Sequence, residues 1–198
     1  MNKKLTLSTL SALALICQAS AATFVTSSEA TGAATGAFAN AFGLVSGTVT
    51  INTLGAYDSG ASATLADPLT VTLWIFGSAT PLRQVTIPAG AVSPVGNFVY
   101  SPITPIVLDA ANYYAITVEG FTVTTPFNKI TPAVFDTTLF NLISGSEYTT
   151  GNPYDNYGTT PAYGAGSFQT APVPEPETYA MMAGLGLVGF GLYRRCRK

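Results

Sequence analysis

The chain has 198 residues, of which 9% are charged and 47% hydrophobic, with no histidine and two cysteines. Six of the eight basic residues (Lys3, Lys4, Arg194, Arg195, Arg197, Lys198) lie at the extreme ends, so residues 5–172 hold only Arg83 and Lys129 against eight carboxylates, a net charge of −6. Such a body repels phosphate backbones, which excludes nucleic-acid binding, and the lack of histidine excludes Ser-His-Asp, Cys-His and His-ligated zinc chemistry.

The first predicted element is a secretory signal peptide over residues 1–21. Lys3 and Lys4 precede an apolar run from Leu5 to Ile16, and small residues follow around Ala19, Ser20 and Ala21. That three-part order predicts cleavage by signal peptidase after Ala21, with Ala19 and Ala21 as the small residues it reads. The apolar run is shorter than the ~20 residues of a spanning helix, and bulky Ile16 before Cys17 argues against a lipid-anchored cysteine. Cys17 leaves with the signal and Cys196 lies in the basic tail. The body, residues 22–171, is therefore expected to hold together by its apolar core without a disulfide.

The body reads as all-β. Val49, Ile51 and Thr53 alternate with Thr48, Thr50 and Asn52, and Val71, Leu73 and Ile75 with Thr70, Thr72 and Trp74, the period of two that marks strands with unlike faces. Further strands are expected over 83–87, 98–101, 106–108, 113–118, 121–125 and 134–140. Pro81, Pro88, Pro94, Pro102 and Pro105 are expected at turns and edges, and Gly145 to Gly166 as a long loop. Short strands at intervals of about ten residues predict two packed antiparallel sheets, a jelly-roll-like β-sandwich. Ile51 to Gly120, with its LGAYD, LTVTLWIF, VTIPAG and ITPIVLDAANYY segments, resembles a recurrent module of secreted bacterial surface proteins. The resemblance implies a β-sandwich at a surface or in a matrix, and no reaction.

Few side chains in the body invite chemistry. Lys129 alone is available for a Ser-Lys dyad, and no motif surrounds it. Asp109, Glu119 and Glu147 are the carboxylates from which a glycosidase pair would be drawn, but nothing in their spacing joins them and solvated acids are the simpler reading. Asp58 and Asp67 flank a Gly/Ser-rich loop of the kind that holds Ca²⁺, without EF-hand spacing, and turn-forming aspartates are the simpler reading. No metal, no cofactor and no enzymatic activity are expected. Aromatic side chains are the remaining hint of a ligand, because sugar rings stack on indole and phenol faces. Trp74, Tyr154 and Tyr157 are the candidate glycan contacts, with Tyr148 and Tyr163 beside them; the alternative is that Trp74 packs in its strand and the tyrosines tie down their loop.

The last predicted elements are a Pro-Glu-Pro segment at 172–177, a single transmembrane helix at 178–193 and a basic tail at 194–198. Gly184, Gly186 and Gly189 have the spacing of a dinucleotide fingerprint, but too little chain follows for a βαβ unit. The apolar run from Tyr179 to Tyr193 rises about 22 Å as a helix, short of a ~30 Å hydrocarbon core. Arg194, Arg195, Arg197 and Lys198 compensate by snorkelling and favour a cytoplasmic C-terminus. Pro-Glu-Pro, a short glycine-bearing apolar run and a terminal basic cluster, in that order, closely resemble the PEP-CTERM sorting signal. The resemblance implies exosortase as partner, a membrane protease-transpeptidase of Gram-negative bacteria that make exopolysaccharide, with Pro174, Glu175 and Pro176 as the recognition motif. It implies membrane anchoring during sorting, then the cell surface or extracellular matrix as destination. The function expected is that of an exported non-enzymatic surface or matrix protein, and the alternative is a glycan-binding module associated with exopolysaccharide.

Overall fold

The computed structural model describes residues 21–27, 33–58, 64–92, 98–125, 127–128, 134–148, 164–171, 184, 186–190 and 193–195. Residues 21–171 form one compact unit, and residues 1–20 together with 172–198 are grouped as another. In the first unit the strands are β1 (Val25–Ser27), β2 (Ala33–Ala34), β3 (Gly36–Leu44), β4 (Thr48–Tyr57), β5 (Leu69–Ile75), β6 (Pro81–Ile87), β7 (Phe98–Asp109), β8 (Tyr113–Phe121), β9 (Phe127–Asn128), β10 (Val134–Phe135), β11 (Phe140–Tyr148) and β12 (Gly166–Thr170). All pairings are antiparallel. They give a five-stranded sheet in the order β11-β3-β8-β5-β6, a three-stranded sheet β12-β4-β7, and the short pairs β1-β10 and β2-β9.

The period-two reading holds on β5, where Leu69, Val71 and Leu73 are fully buried. On β4 it fails after Ile51. The register with β7 passes from Ile51↔Ile106 to Thr53↔Pro102, so one residue of β4 opposes three of β7 and the alternation changes phase across this bulge. Leu54 and Ala56 then carry the buried face, while the Thr53 hydroxyl accepts the Gln169 backbone N–H at 3.2 Å. The two strands expected at 98–101 and 106–108 are one strand, β7, because Pro102 and Pro105 lie on a sheet edge, where a missing N–H costs no ladder bond. The bulge turns the Thr104 and Pro105 carbonyls outward. They accept hydrogen bonds from Arg83 Nε at 2.9 Å and Nη2 at 3.5 Å, which ties the β6 edge of the large sheet to the β7 edge of the small one.

Two other expected strands have different bounds. Phe121 ends β8, and 122–125 is a threonine turn in which Thr122 N–H donates to the Thr125 carbonyl at 3.0 Å. The run expected at 134–140 is split by a turn in which Asp136 Oδ1 accepts the Thr138 N–H at 3.0 Å and also its hydroxyl proton. Strand β11 extends to Tyr148, inside the stretch expected to be a loop.

Both sheets contribute to one hydrophobic core. Phe24 stacks on Phe168 of β12 with ring centroids 4.7 Å apart and planes 7° apart. It also meets Phe42 of β3 at 4.7 Å and Phe140 of β11 edge-on at 5.4 Å. A second aromatic group joins Phe38, Phe121 and Tyr57 around Phe127. Between them β12 comes so close to β8 that a Cβ added at Gly166 would stand 2.9 Å from Val118 and 3.1 Å from Ile116. Only a residue without a side chain fits there.

Phe24 is held in this core by pairing of residues 22–25 along β12. Ala22 N–H donates to Thr170 Oγ1 at 2.9 Å, Thr170 N–H to the Ala22 carbonyl at 2.9 Å, and Phe24 N–H to the Phe168 carbonyl at 3.1 Å. Val25 N–H donates to Ser167 Oγ at 3.1 Å. Replacing Phe24 with Ala empties a site at the meeting of both sheets and is expected to destabilise the body by about 3–5 kcal/mol. Val123→Ala, at a position 87% exposed, is expected to change stability by no more than about 0.5 kcal/mol. Urea unfolding of the full-length chain followed by Trp74 fluorescence measures both.

Candidate functional site

The face of the five-stranded sheet turned away from the core is built in rows across the strands. One row runs from Asn141 of β11 through Gly43 and Tyr113 to Phe76, whose N–H donates to the Tyr113 carbonyl at 2.8 Å. The next holds Ser144, Ala41, Ala115 and Trp74, and the third Ala39, Thr117, Thr72 and Gln84. Small and hydroxyl-bearing residues dominate because their alternation partners, Phe38, Phe42, Tyr114, Ile116, Val71 and Leu73, fill the core. Ala39, Ala41, Ala115 and Thr117 are buried, whereas Tyr113 and Phe76 are 63% and 39% exposed.

Two of the rings reach a neighbouring strand. Trp74 stands opposite Ala115 and its indole Nε1–H donates to Thr117 Oγ1 at 3.0 Å on the neighbouring strand, so the indole leans across β8. Tyr113 leans over Gly43, where an added Cβ would stand 3.0 Å from the ring. Gln84 Nε2 donates to Thr72 Oγ1 at 3.0 Å, which fixes the polar groups beside the indole. Of the candidate glycan contacts, Trp74 is thus on this face, half-buried. Tyr154, Tyr157 and Tyr163 lie outside the described residues, as does the Tyr148 side chain. Tyr113 and Phe76 were not anticipated. The signal for Tyr113 was in the Tyr113-Tyr114 pair, since adjacent strand residues point to opposite faces and the core takes only one.

Of the candidate carboxylates, the described Asp109 and Glu119 are not gathered into a pair. Asp109 closes the β7–β8 turn, its Oδ1 accepting from Ala111 N–H at 3.0 Å and Asn112 Nδ2 at 2.9 Å. Its backbone N–H meets the Tyr114 hydroxyl at 3.0 Å, whereas Glu119 lies five residues further along β8. That is roughly 16 Å of strand, beyond the separation of glycosidase carboxyls. The Glu147 side chain is outside the described residues.

Asp67 takes a structural role. Its Oδ2 accepts from the hydroxyls of Thr122 at 2.6 Å, Thr124 at 2.5 Å and Thr125 at 3.2 Å, and its backbone N–H donates to Thr125 Oγ1 at 2.9 Å. These donors, Thr122 foremost, hold the carboxyl below the usual carboxylate range. A carboxylate oxygen already surrounded by three hydroxyl protons is poorly placed to receive a cation. Among the described residues no group of three or more Asp, Glu, His or Cys forms a metal centre.

At the ends of the chain, Ala21 is exposed and precedes the first paired residue, and Ala19 is outside the described residues. Ala171 N–H donates to the Thr50 carbonyl at 2.7 Å, and Ala171 is the last described residue of the body. Pro174, Glu175 and Pro176 are outside the described residues, as are Arg197 and Lys198. Gly184, Gly186 to Phe190 and Tyr193 to Arg195 are helical and exposed. Among the described residues no helix is long and apolar enough to cross a membrane, and the remainder of 178–193 lies outside them.

Residues 172–198 match the family model described as the PEP-CTERM protein-sorting motif. No curated protein and no solved structure matches the chain. The chain carries this sorting motif immediately after the last residue of its folded body, which marks it as an exported substrate of exosortase.

The Asp67 cluster generates a prediction of its own. A carboxyl whose folded pKa lies below its unfolded value of about 3.9 stabilises the fold above that value, and the contribution is lost as pH falls through the folded pKa. Asp67→Asn is therefore expected to lower Tm at pH 7, with the difference from wild type closing below about pH 3.9. Thermal denaturation of both proteins across pH 2–7 reads the effect; a difference that persists unchanged in acid would assign it to lost packing.

Proposed function

We propose that the chain is an exported, non-enzymatic surface or extracellular-matrix protein whose body is a jelly-roll-like β-sandwich. The sorting motif over 172–198 carries this reading. Signal peptidase removes residues 1–21, and the chain is held in the inner membrane by a transmembrane helix over 178–193, with Arg194, Arg195, Arg197 and Lys198 on the cytoplasmic side. Exosortase then reads Pro174, Glu175 and Pro176. The two prolines lack N–H groups and disfavour helix in the residues before them, which keeps the motif extended for a protease. The tail is removed and the body passes to the cell surface or matrix. Packing of both sheets on one core supports the sandwich, and the separation of Asp109 from Glu119 supports a body without hydrolytic chemistry.

A second reading, a glycan-binding module that associates with exopolysaccharide, is favoured by one observation. The Trp74 indole is pinned by Thr117 on a face that also carries the exposed rings of Tyr113 and Phe76 and the exposed Gln84 and Asn141 amides.

Glu175 is the only charged residue between the two prolines of the motif. Glu175→Ala leaves the apolar run and basic tail intact, so membrane insertion survives while processing fails, and the protein is expected to stay in the inner membrane with its tail uncut. Fractionation with an antibody to the body, and mass spectrometry of the released form, test this. Normal release of the variant counts against Glu175 as a recognition residue.

A further inference from the structure

We infer that the Tyr113 end of the outer sheet face binds an uncharged polysaccharide, with Tyr113, Phe76 and Trp74 as the stacking platform. This rests on the glycan-binding reading and gives it a location and a ligand class. Three aromatic residues from two neighbouring strands converge there. Phe76 lies opposite Tyr113, and Trp74 lies diagonal to Tyr113, opposite Ala115, a diagonal of roughly 7–8 Å between backbones. The Tyr113 ring reaches Gly43 on one neighbouring strand and the Trp74 indole reaches Thr117 on the other side of the β5–β8 pair, so both side chains are braced on the sheet surface. Exposure increases in the same direction, from half-buried Trp74 to Phe76 at 39% and Tyr113 at 63%.

The charge of the surface selects the ligand. In the rows that hold the three rings, the other described residues are Asn141, Gly43, Ser144, Ala41, Ala115 and Pro81, none of them ionisable. Arg83, the cation among the described residues of the body, is on the neighbouring strand β6, but it stands opposite Leu73, whose side of the sheet is the core side, and the Thr104 and Pro105 carbonyls of β7 engage it there. A uronate or phosphate-bearing polymer would thus meet a body of net charge −6 with no cation among the described residues of the platform rows to pair with. A neutral chain of flat pyranose rings gains apolar contact on its ring faces, and its hydroxyls meet the exposed Asn141 amide. A protein partner would need a larger contiguous apolar patch than three rings provide.

The test is calorimetric titration of the full-length chain in detergent micelles with cellohexaose, a neutral flat β-1,4-glucan, and separately with an alginate hexamer of the same length. Cellohexaose is expected to bind and alginate not. Tyr113→Ala and Trp74→Ala are each expected to weaken binding about tenfold or more, the loss expected on truncating a central aromatic contact. Tyr113→Phe should keep wild-type affinity, since the ring and not the hydroxyl does the stacking. Trp74 also braces the sheet through Thr117, so the exposed Tyr113→Ala variant decides the matter if Trp74→Ala does not fold. Cellohexaose binding unchanged in Tyr113→Ala would place the site elsewhere and overturn this inference while leaving the glycan-binding reading standing. Preference for alginate would overturn the ligand class, and no binding of either sugar by the wild-type chain would overturn both.

Discussion

The fold depends on the contact between Phe24 and Phe168. Neither cysteine falls within residues 21–171, so no covalent staple holds the two sheets together and their cohesion rests on burial of apolar side chains. Phe24, Phe42, Phe140 and Phe168 meet where β3 and β11 of one sheet face β12 of the other. Phe24 reaches that point because residues 22–25 lie along β12. The extreme N-terminal residues of the body are therefore part of its core, although the sequence around them gives no strand pattern.

What the chain reveals without coordinates divides along a physical line. Strands rich in β-branched residues, such as β5 and β6, are legible because their side chains match the pleat and alternate with polar ones. Strand β3, GAFANAFGL, was not expected, because Gly, Ala and Asn have no strand preference of their own; its place is set by Phe38 and Phe42 packing inward and by neighbours on both sides. The phase of β4 was misread because a bulge depends on the partner strand, here the Pro102 to Pro105 segment of β7, and that pairing is non-local. Phe121 likewise belongs to β8 because the strand continues to pair past Glu119, and the Thr122 to Thr125 turn depends on Asp67, more than fifty residues earlier.

The candidate sites divide the same way. A protease reads an extended peptide, so the Pro-Glu-Pro motif is complete in a few consecutive residues. A binding face is assembled from strands that are distant in sequence, and Tyr113, Phe76 and Trp74 become neighbours only when β5 pairs with β8. Of the three aromatic residues that the described sheet brings together, Trp74 is legible as a candidate from the sequence, whereas Tyr113 and Phe76 sit at the ends of runs that read as ordinary core strands.

The pairing of Ala22 with Thr170 also bears on how a body cut at both ends would withstand peptidases. Exopeptidases need several residues of free, extended chain to fill their active sites. A cut after Ala21 leaves no overhang at the amino end, since the Ala22 nitrogen already faces Thr170 Oγ1. At the other end the chain is fixed as far as Ala171 by the Thr50 carbonyl, so trimming stops where the ladder begins. Each end of the body shields the other, and erosion from either one must first break the ladder that the opposite end completes.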